Sequence, residues 1–199
     1  VGVKAGVETA GFVGIDGLTA QVSDITVEVN RGTNADALNW TAAFAEAVDP
    51  GQYLDPAENL AIDFADELFR ASGSIELDLF GVVTGSGTFA FVKETVGVLG
   101  SPDLTDASLV MVAVTELNAF VGGGGVGFQI SDGSLSFAQI THATDPRVLT
   151  GVYGSLGSAD LVGIPGLTAS ATSLQLQSNS GTGAPAINWT ADVDVDRDG

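Results

Sequence analysis

The feature that most constrains the fold of this chain is an internal duplication. Residues 12–42 align without a gap onto residues 161–191, at an offset of 149, and sixteen of the 31 paired positions are identical. The tetrapeptide Asn-Trp-Thr-Ala recurs in full, so that Trp40 corresponds to Trp189. A match of this length indicates that one structural unit occurs more than once in the chain.

The period of the duplication sets the size of that unit. Common solenoid repeats span about 20–50 residues, whereas an offset of 149 residues corresponds to a unit of domain size. We therefore predict that residues 1–149 form one repeat unit, whose first residue need not coincide with the start of a structural domain. Residues 150–199 are then the truncated start of the next unit, and we expect the parent protein to continue in both directions.

Alternating apolar and polar residues predict a protein built of β-strands. Glycine occurs 27 times, while Lys and Glu, the usual solvent-facing residues of helices, are sparse. All six prolines fall between the predicted strands, because proline cannot donate to a strand ladder. The predicted strands lie near residues 2–14, 18–30, 38–47, 72–80, 83–96, 109–121, 148–163, 167–178 and 186–195.

Two stretches of the sequence carry local signals for a specific turn or helix start. The Asp-Gly pair in residues 131–134 is a strong hairpin signal, so we predict a hairpin that joins strands at 126–130 and 135–140. Asp55-Pro56-Ala57-Glu58 resembles a helix start, and Leu60, Phe64 and Leu68 follow at helical spacing. Leu60, Ile62 and Phe64 also alternate as in a strand, and we favour a strand here.

Consecutive strands joined by short turns predict an all-β fold. We expect an elongated antiparallel β-meander, either sandwich-like or a coiled sheet, that continues from one 149-residue unit to the next. A discrete immunoglobulin-like sandwich is the alternative, although 149 residues are many for such a domain.

The charge balance excludes several partners. Twenty-five acidic residues against six scattered Lys and Arg give a net charge of −19, which disfavours nucleic acids and anionic membrane surfaces. The longest apolar run covers residues 109–114, so we expect no membrane insertion. The chain has no cysteine, which excludes disulfides and thiolate metal sites and is compatible with a large exported bacterial protein.

No group of residues forms a recognisable catalytic motif. His142 is the only histidine, with Asp145 three residues later, but neither a Gly-x-Ser-x-Gly nor an HExxH motif accompanies it, and we interpret it as a turn residue. The four glycines at 122–125 precede a predicted strand, which favours a turn over a phosphate-binding loop. We therefore predict a protein that is not an enzyme.

The repeated tryptophans, Trp40 and Trp189, allow two interpretations. As equivalent residues of two copies they are best explained as core anchors. If exposed they could instead stack on sugar rings, which would make the chain a carbohydrate-binding module with surface glycans as partners. The surrounding Asn-Trp-Thr triplets also fit the N-glycosylation pattern.

Alternating aspartates near the end of the chain suggest a metal site. Asp194-Val-Asp196-Arg-Asp198-Gly199 matches the first six positions of an EF-hand Ca²⁺ loop, so Asp194, Asp196 and Asp198 are candidate Ca²⁺ ligands. A solvated strand face is the alternative. We expect no other cofactor.

Several phrases of the sequence resemble a known group of proteins. Gly-Phe-Val-Gly-Ile-Asp-Gly-Leu-Thr at 11–19, Ile25-Thr-Val-Glu-Val-Asn30 and the stretches 72–80, 87–91 and 117–122 are similar to repeats of giant exported bacterial proteins, which resemble large repetitive adhesins. The resemblance implies a structural module of an extracellular adhesin, surface fibre or filament at the cell surface, whose partners are neighbouring repeat units or identical subunits. It implies no site residues.

Overall fold

The chain folds into a single antiparallel β-sheet. The computed structural model describes residues 1–12, 18–44, 61–99 and 104–194. Eight strands follow one another across the sheet in chain order, each antiparallel to the next. They are β1 (Gly2–Phe12), β2 (Leu18–Asn30), β3 (Leu68–Leu79), β4 (Val83–Val98), β5 (Leu104–Gly123), β6 (Val126–Thr141), β7 (Val148–Val162) and β8 (Ser170–Thr182).

Two short elements complete the description. A single helical turn, α1 (Trp40–Ala43), follows β2, and a two-residue strand, β9 (Val193–Asp194), pairs with the end of β4. The prediction of an all-β antiparallel meander is confirmed, and the described residues form one sheet. Among those residues, no helix has the length and apolar character needed to cross a membrane.

The hairpin predicted at residues 131–134 is wrong, because β6 runs through it without interruption. Asp132 takes a φ of 53°, and the ladder to β7 resumes on both sides of it. The Asp-Gly pair therefore marks an irregularity inside a strand, since positive φ occurs in some bulges as well as in hairpin turns. The turn lies at the glycine run, where Gly124 and Gly125 have φ values of 63° and 81°, which confirms the prediction of a turn there.

The strands predicted at 38–47 and 186–195 are also wrong around the tryptophans, while residues 193–194 do form a strand and residues 45–47 and 195 lie outside the described residues. Residues 38–44 form irregular chain and α1, and residues 183–192 form turns before the short β9. The same local sequence causes both errors, because the Asn before each tryptophan turns the chain with its side chain. The strand favoured at Leu60, Ile62 and Phe64 is not found either: Leu60 lies outside the described residues, and Ile62 makes only an isolated bridge in the otherwise irregular residues 61–67. Strand β3 begins at Leu68.

The buried core lies at one end of the sheet, on strands β4 to β7. Its fully or nearly fully buried side chains are Val96, Val98, Leu104, Ala107, Leu109, Ile140 and Leu149. Residues 183–192, which we call the second strap, run from β8 back across the sheet to β4, where the Leu99 amide donates to the carbonyl of Asp192 at 2.8 Å. Ala184, Ile187 and Trp189 of this strap pack on the core. Residues 31–44, which follow β2 in the same way, form the first strap.

Candidate functional site

A buried asparagine organises the contacts of the first strap. Asn30, the last residue of β2, is 0% exposed. Its Nδ2 donates to the carbonyls of Leu38 at 2.9 Å and Asp66 at 2.8 Å, and its Oδ1 accepts the indole N–H of Trp40 at 3.0 Å. Burial of an amide is tolerated only when its polar atoms are hydrogen-bonded, and both ends of this side chain are. We call this arrangement the first Asn–Trp clasp.

Trp40 rests on a glycine of the neighbouring strand. A Cβ added at Gly2 would lie 2.9 Å from Trp40 Cε2 and 2.8 Å from Ile62 Cγ2, closer than carbon atoms can approach. On its other side the ring stacks on Phe44, with centroids 5.7 Å apart. The backbone amide of Trp40 donates to the carbonyl of the buried Phe64 at 2.8 Å. Residues 61–64 thus hold the tryptophan against β1.

The second strap forms a second Asn–Trp clasp at an offset of 149 residues. Asn179 Nδ2 donates to the carbonyl of Ile187 at 2.8 Å, and Trp189 Nε1 donates to Asn179 Oδ1 at 3.1 Å. A Cβ added at Gly151 would lie 2.8 Å from Trp189 Cε2, so Gly151 plays the part of Gly2. Two segments that share sixteen residues in 31 therefore make the same hydrogen bonds and the same ring-to-backbone contact.

The Asn-Trp-Thr triplets form turns. Asn39 Oδ1 accepts from the Ala42 amide and the Thr41 hydroxyl, both at 2.8 Å, and Asn188 Oδ1 accepts from the Thr190 hydroxyl at 2.8 Å. An asparagine that caps a turn in this way competes with strand formation. The triplets therefore position the two tryptophan rings as packing anchors. Stacking of these rings on sugars stays a prediction.

A groove of about 1110 Å³ adjoins the second clasp. Strands β5 to β8 form its floor and residues 186–190 one wall, and its lining is mainly apolar. Tyr153, 39% exposed, Phe137 and the ring of Trp189 contribute aromatic surface, and Gln177 and Asn179 contribute amides.

The only histidine lies in the turn between β6 and β7. His142 Nδ1 is 3.3 Å from the Thr144 amide. The carboxylate of Asp145 is directed to Arg147, accepting from its Nε at 2.8 Å, its Nη2 at 2.9 Å and its backbone amide at 2.9 Å. Hydrogen bonds from the Arg147 side chain and then its amide lower the pKa of Asp145 to about 2. Asp145 is therefore an ion-pair partner here and does not orient the imidazole for catalysis.

The candidate calcium ligands fall at the margin of the described residues. In β9 the backbone of Asp194 pairs with Gly97 of β4. The side chain of Asp194 and the whole of Asp196 and Asp198 lie outside the described residues. Within residues 1–12, 18–44, 61–99 and 104–194, no three His, Asp or Glu side chains come together as metal ligands. Ca²⁺ binding by Asp194, Asp196 and Asp198 stays a prediction.

The sequence reasoning missed four residues of the clasps. Asn30 and Asn179 are one of the sixteen identical pairs and fall at the ends of predicted strands, which could have marked them. Gly2 and Gly151 correspond at the same offset but lie outside the aligned window. Comparison with known proteins gave no match to a family model, to a curated protein or to a solved structure.

Proposed function

We propose that this chain is a non-catalytic structural repeat module of a large extracellular adhesin, surface fibre or filament. In this proposal the 149-residue unit contributes six strands to a sheet, and the following unit continues the same sheet. Residues 1–149 are one unit, and residues 150–199 begin the next.

The observation that carries the proposal is that the strand register repeats. In the first copy Gly2 pairs with Asn30 and Val7 with Ile25. In the second copy Gly151 pairs with Asn179 and Leu156 with Leu174, at the same offset of 149. This agreement supports a structural unit that equals one sequence repeat, because the strand pairing and the Asn–Trp clasp both recur at the offset of the duplication.

The junction between the copies supports continuity of the sheet. β6 of the first unit pairs with β7 of the second along nearly its whole length, from Thr141 with Val148 to Gly127 with Val162. A boundary between separate domains would have few contacts across it. Here the second unit is joined to the first by strand pairing.

The charge fits an extracellular role for such an array. A net charge of −19 keeps copies of the protein apart except where strands pair, and a chain without cysteine needs no disulfides in an oxidising environment. Neighbouring repeat units are the partners that this arrangement requires.

Tandem proteins of two, three and four units test the proposal. If units continue one sheet, electron microscopy and small-angle scattering should show unbranched particles whose length grows by a constant increment per unit. Independent beads joined by linkers, or turnover of polysaccharide or peptide substrates by a purified unit, would contradict the proposal.

The groove beside Trp189 favours a second candidate, a carbohydrate-binding module. Its aromatic rings and amides are groups that bind sugars. Oligosaccharides titrated against the protein should then change tryptophan emission, and Trp189→Phe should abolish the change while Trp40→Phe keeps it. Emission that stays constant with a broad set of glycans would contradict this candidate.

A further inference from the structure

The two copies differ in what lies on the far side of their second strand. In the first copy, β2 is paired along its length with β3, from Leu18 with Leu79 to Asn30 with Leu68. In the second copy, the corresponding strand β8 is the edge of the described sheet. Ile25 and Val27 are half-buried in β2, whereas their counterparts Leu174 and Leu176 in β8 are 43% and 61% exposed.

β8 lacks the short length, the charges and the proline that usually protect an edge strand. Exposed edges are usually short or carry charges, especially lysine, or proline, which prevent pairing with other chains. β8 is 13 residues long and contains no charged residue and no proline, in a chain with 25 acidic residues. Its sequence is that of a strand with a partner on each side.

The backbone of β8 has the shape of a strand that is already paired. Asp24 of β2 has a φ of 52°, and there two residues of β2, Asp24 and Ile25, lie opposite Gly73 of β3. Ser173, the counterpart of Asp24, has a φ of 56°, although the ladder from β8 to β7 skips one residue on each strand and so contains no bulge. Serine rarely adopts positive φ. The positive φ of Ser173 therefore matches the bulge that β2 forms against β3 in the first copy.

The groove beside β8 corresponds to the place of residues 61–64 in the first copy. There, Ile62 and Trp40 both lie against Gly2, the carbonyl of Phe64 accepts from the Trp40 amide, and the carbonyl of Asp66 accepts from Asn30. Trp189, Gly151 and Asn179, the counterparts of Trp40, Gly2 and Asn30, all line the groove. The groove and the edge are thus adjacent parts of one surface.

We infer that the edge of β8 and the groove beside Trp189 together bind the segment of their own, second repeat unit that corresponds to residues 61–79. The β3 strand of that unit adds antiparallel to β8 in the register of the first copy, with its Leu68 opposite Asn179 and its Ala71 opposite Leu176. Its Gly73 lies opposite Ser173 and Leu174, and its Ile62 and Phe64 fill the groove. This inference rests on the proposed function and specifies the junction at which the sheet continues past β8 within the second unit.

An extended chain tests this junction. Gly199 aligns with Pro50 at the 149-residue offset, so residues 51–98 are appended after Gly199 to reproduce the natural spacing. Amide hydrogen exchange of residues 170–179 is then compared in the 199-residue protein and the extended protein. We expect exchange to slow by about tenfold or more in the extended protein, because these amides gain a strand partner.

The matched control replaces one glycine in the appended segment only. A Cβ at Gly73 would lie 2.8 Å from the carbonyl oxygen of Ser23, so Gly73→Val in the appended copy should prevent pairing and restore fast exchange. Ser72→Val in the appended copy, at the neighbouring exposed position of β3, controls for the added bulk and should keep most of the protection.

Three results would overturn the inference. Exchange in β8 could be equally fast with and without the extension, or the appended Gly73→Val could protect as well as the unmodified extension. The 199-residue protein could also form dimers with β8 already protected, which would assign the edge to a second copy. Tandem proteins that remain elongated in any of these cases would leave the repeat module standing and move the junction elsewhere.

Discussion

The two Asn–Trp clasps are built from the same residues and differ in their surroundings. Asn30 is fully buried beneath Leu38 and Asp66, while Asn179 is exposed. Conversely, the second strap packs on the core of β4 to β7, whereas Phe44 of the first strap is 44% exposed. Each copy thus has one of the two neighbours that an internal unit would have. Burial in such a protein is set by adjacent units more than by a residue's own segment.

The largest expected effect is a difference between the two asparagines. Asn30→Ala removes the buried amide that pairs with the Trp40 N–H and with the carbonyls of Leu38 and Asp66, and we expect a loss of about 2–4 kcal/mol in the free energy of unfolding. Asn179→Ala should cost about 1 kcal/mol or less, because water reaches the groups that it leaves. Urea unfolding of both variants measures the difference. Equal losses would contradict the idea that the neighbouring segment determines the strength of the clasp.

A second test addresses the contact between strap and sheet. Gly151→Ala places a methyl group 2.8 Å from Trp189 Cε2, which should push the ring away and cost about 1–3 kcal/mol. In Gly154→Ala, on the same strand, the nearest atom would be 3.7 Å away, and the change should stay within about 0.5 kcal/mol. Thermal unfolding and the emission of Trp189 in a Trp40→Phe background report both. Equal behaviour of the two variants would mean that the ring does not rest on Gly151.

Calcium should distinguish the copies as well. Asp194, Asp196 and Asp198 correspond to Ala45, Ala47 and Asp49 in the first copy, so a Ca²⁺ site would belong to the second copy alone. In a chain that continues past Gly199, Ca²⁺ at about fivefold excess over its Kd should stabilise the protein by about 1 kcal/mol, beyond NaCl of matched ionic strength. Replacing the three aspartates with asparagine should remove this increment, and an increment that survives would refute the assignment.

The smallest expected effect concerns the turn that leads into the second copy. Asp145 has a pKa lowered to about 2 by Arg147. The ion pair therefore contributes stability above pH 3.8, the ordinary value for Asp, and loses it as the pH falls towards 2. Arg147→Met should return the pKa of Asp145 towards 3.8, as measured by NMR titration of its carboxyl carbon. Arg70→Met, which removes the Glu94 partner, should leave that pKa unchanged.

The sequence was most informative where the local pattern and the strand ladder agree. The prediction of residues 18–30 matches β2, and those for β1, β3, β4 and β7 locate the strands to within a few residues. In each case alternation and turn residues point to the same structure.

The failures share a physical cause, since each depends on contacts between distant residues. Asp132-Gly133 has the chemistry of a turn, but pairing with β7 keeps it inside β6. Trp40 and Trp189 lie in segments that alternate like strands, yet their indoles bind asparagines ten residues earlier and draw the chain across the sheet. The clasp residues Gly2 and Gly151 bear no chemical group that could have marked them. Only the fold shows that a tryptophan ring takes the space of their missing side chains.

The pairing of β9 with β4 determines how the sheet would respond to tension. Strands β1 to β8 follow one another in chain order. In an ordinary meander of this kind, a force on the two chain ends would detach the strands one at a time, starting from the edges. Here Val193 and Asp194 are bonded to Val98 and Gly97, and a force applied beyond Asp194 passes directly to β4. Strands β5 to β8 then lie outside the path of the force, and they begin to bear load only after the short β9 ladder breaks.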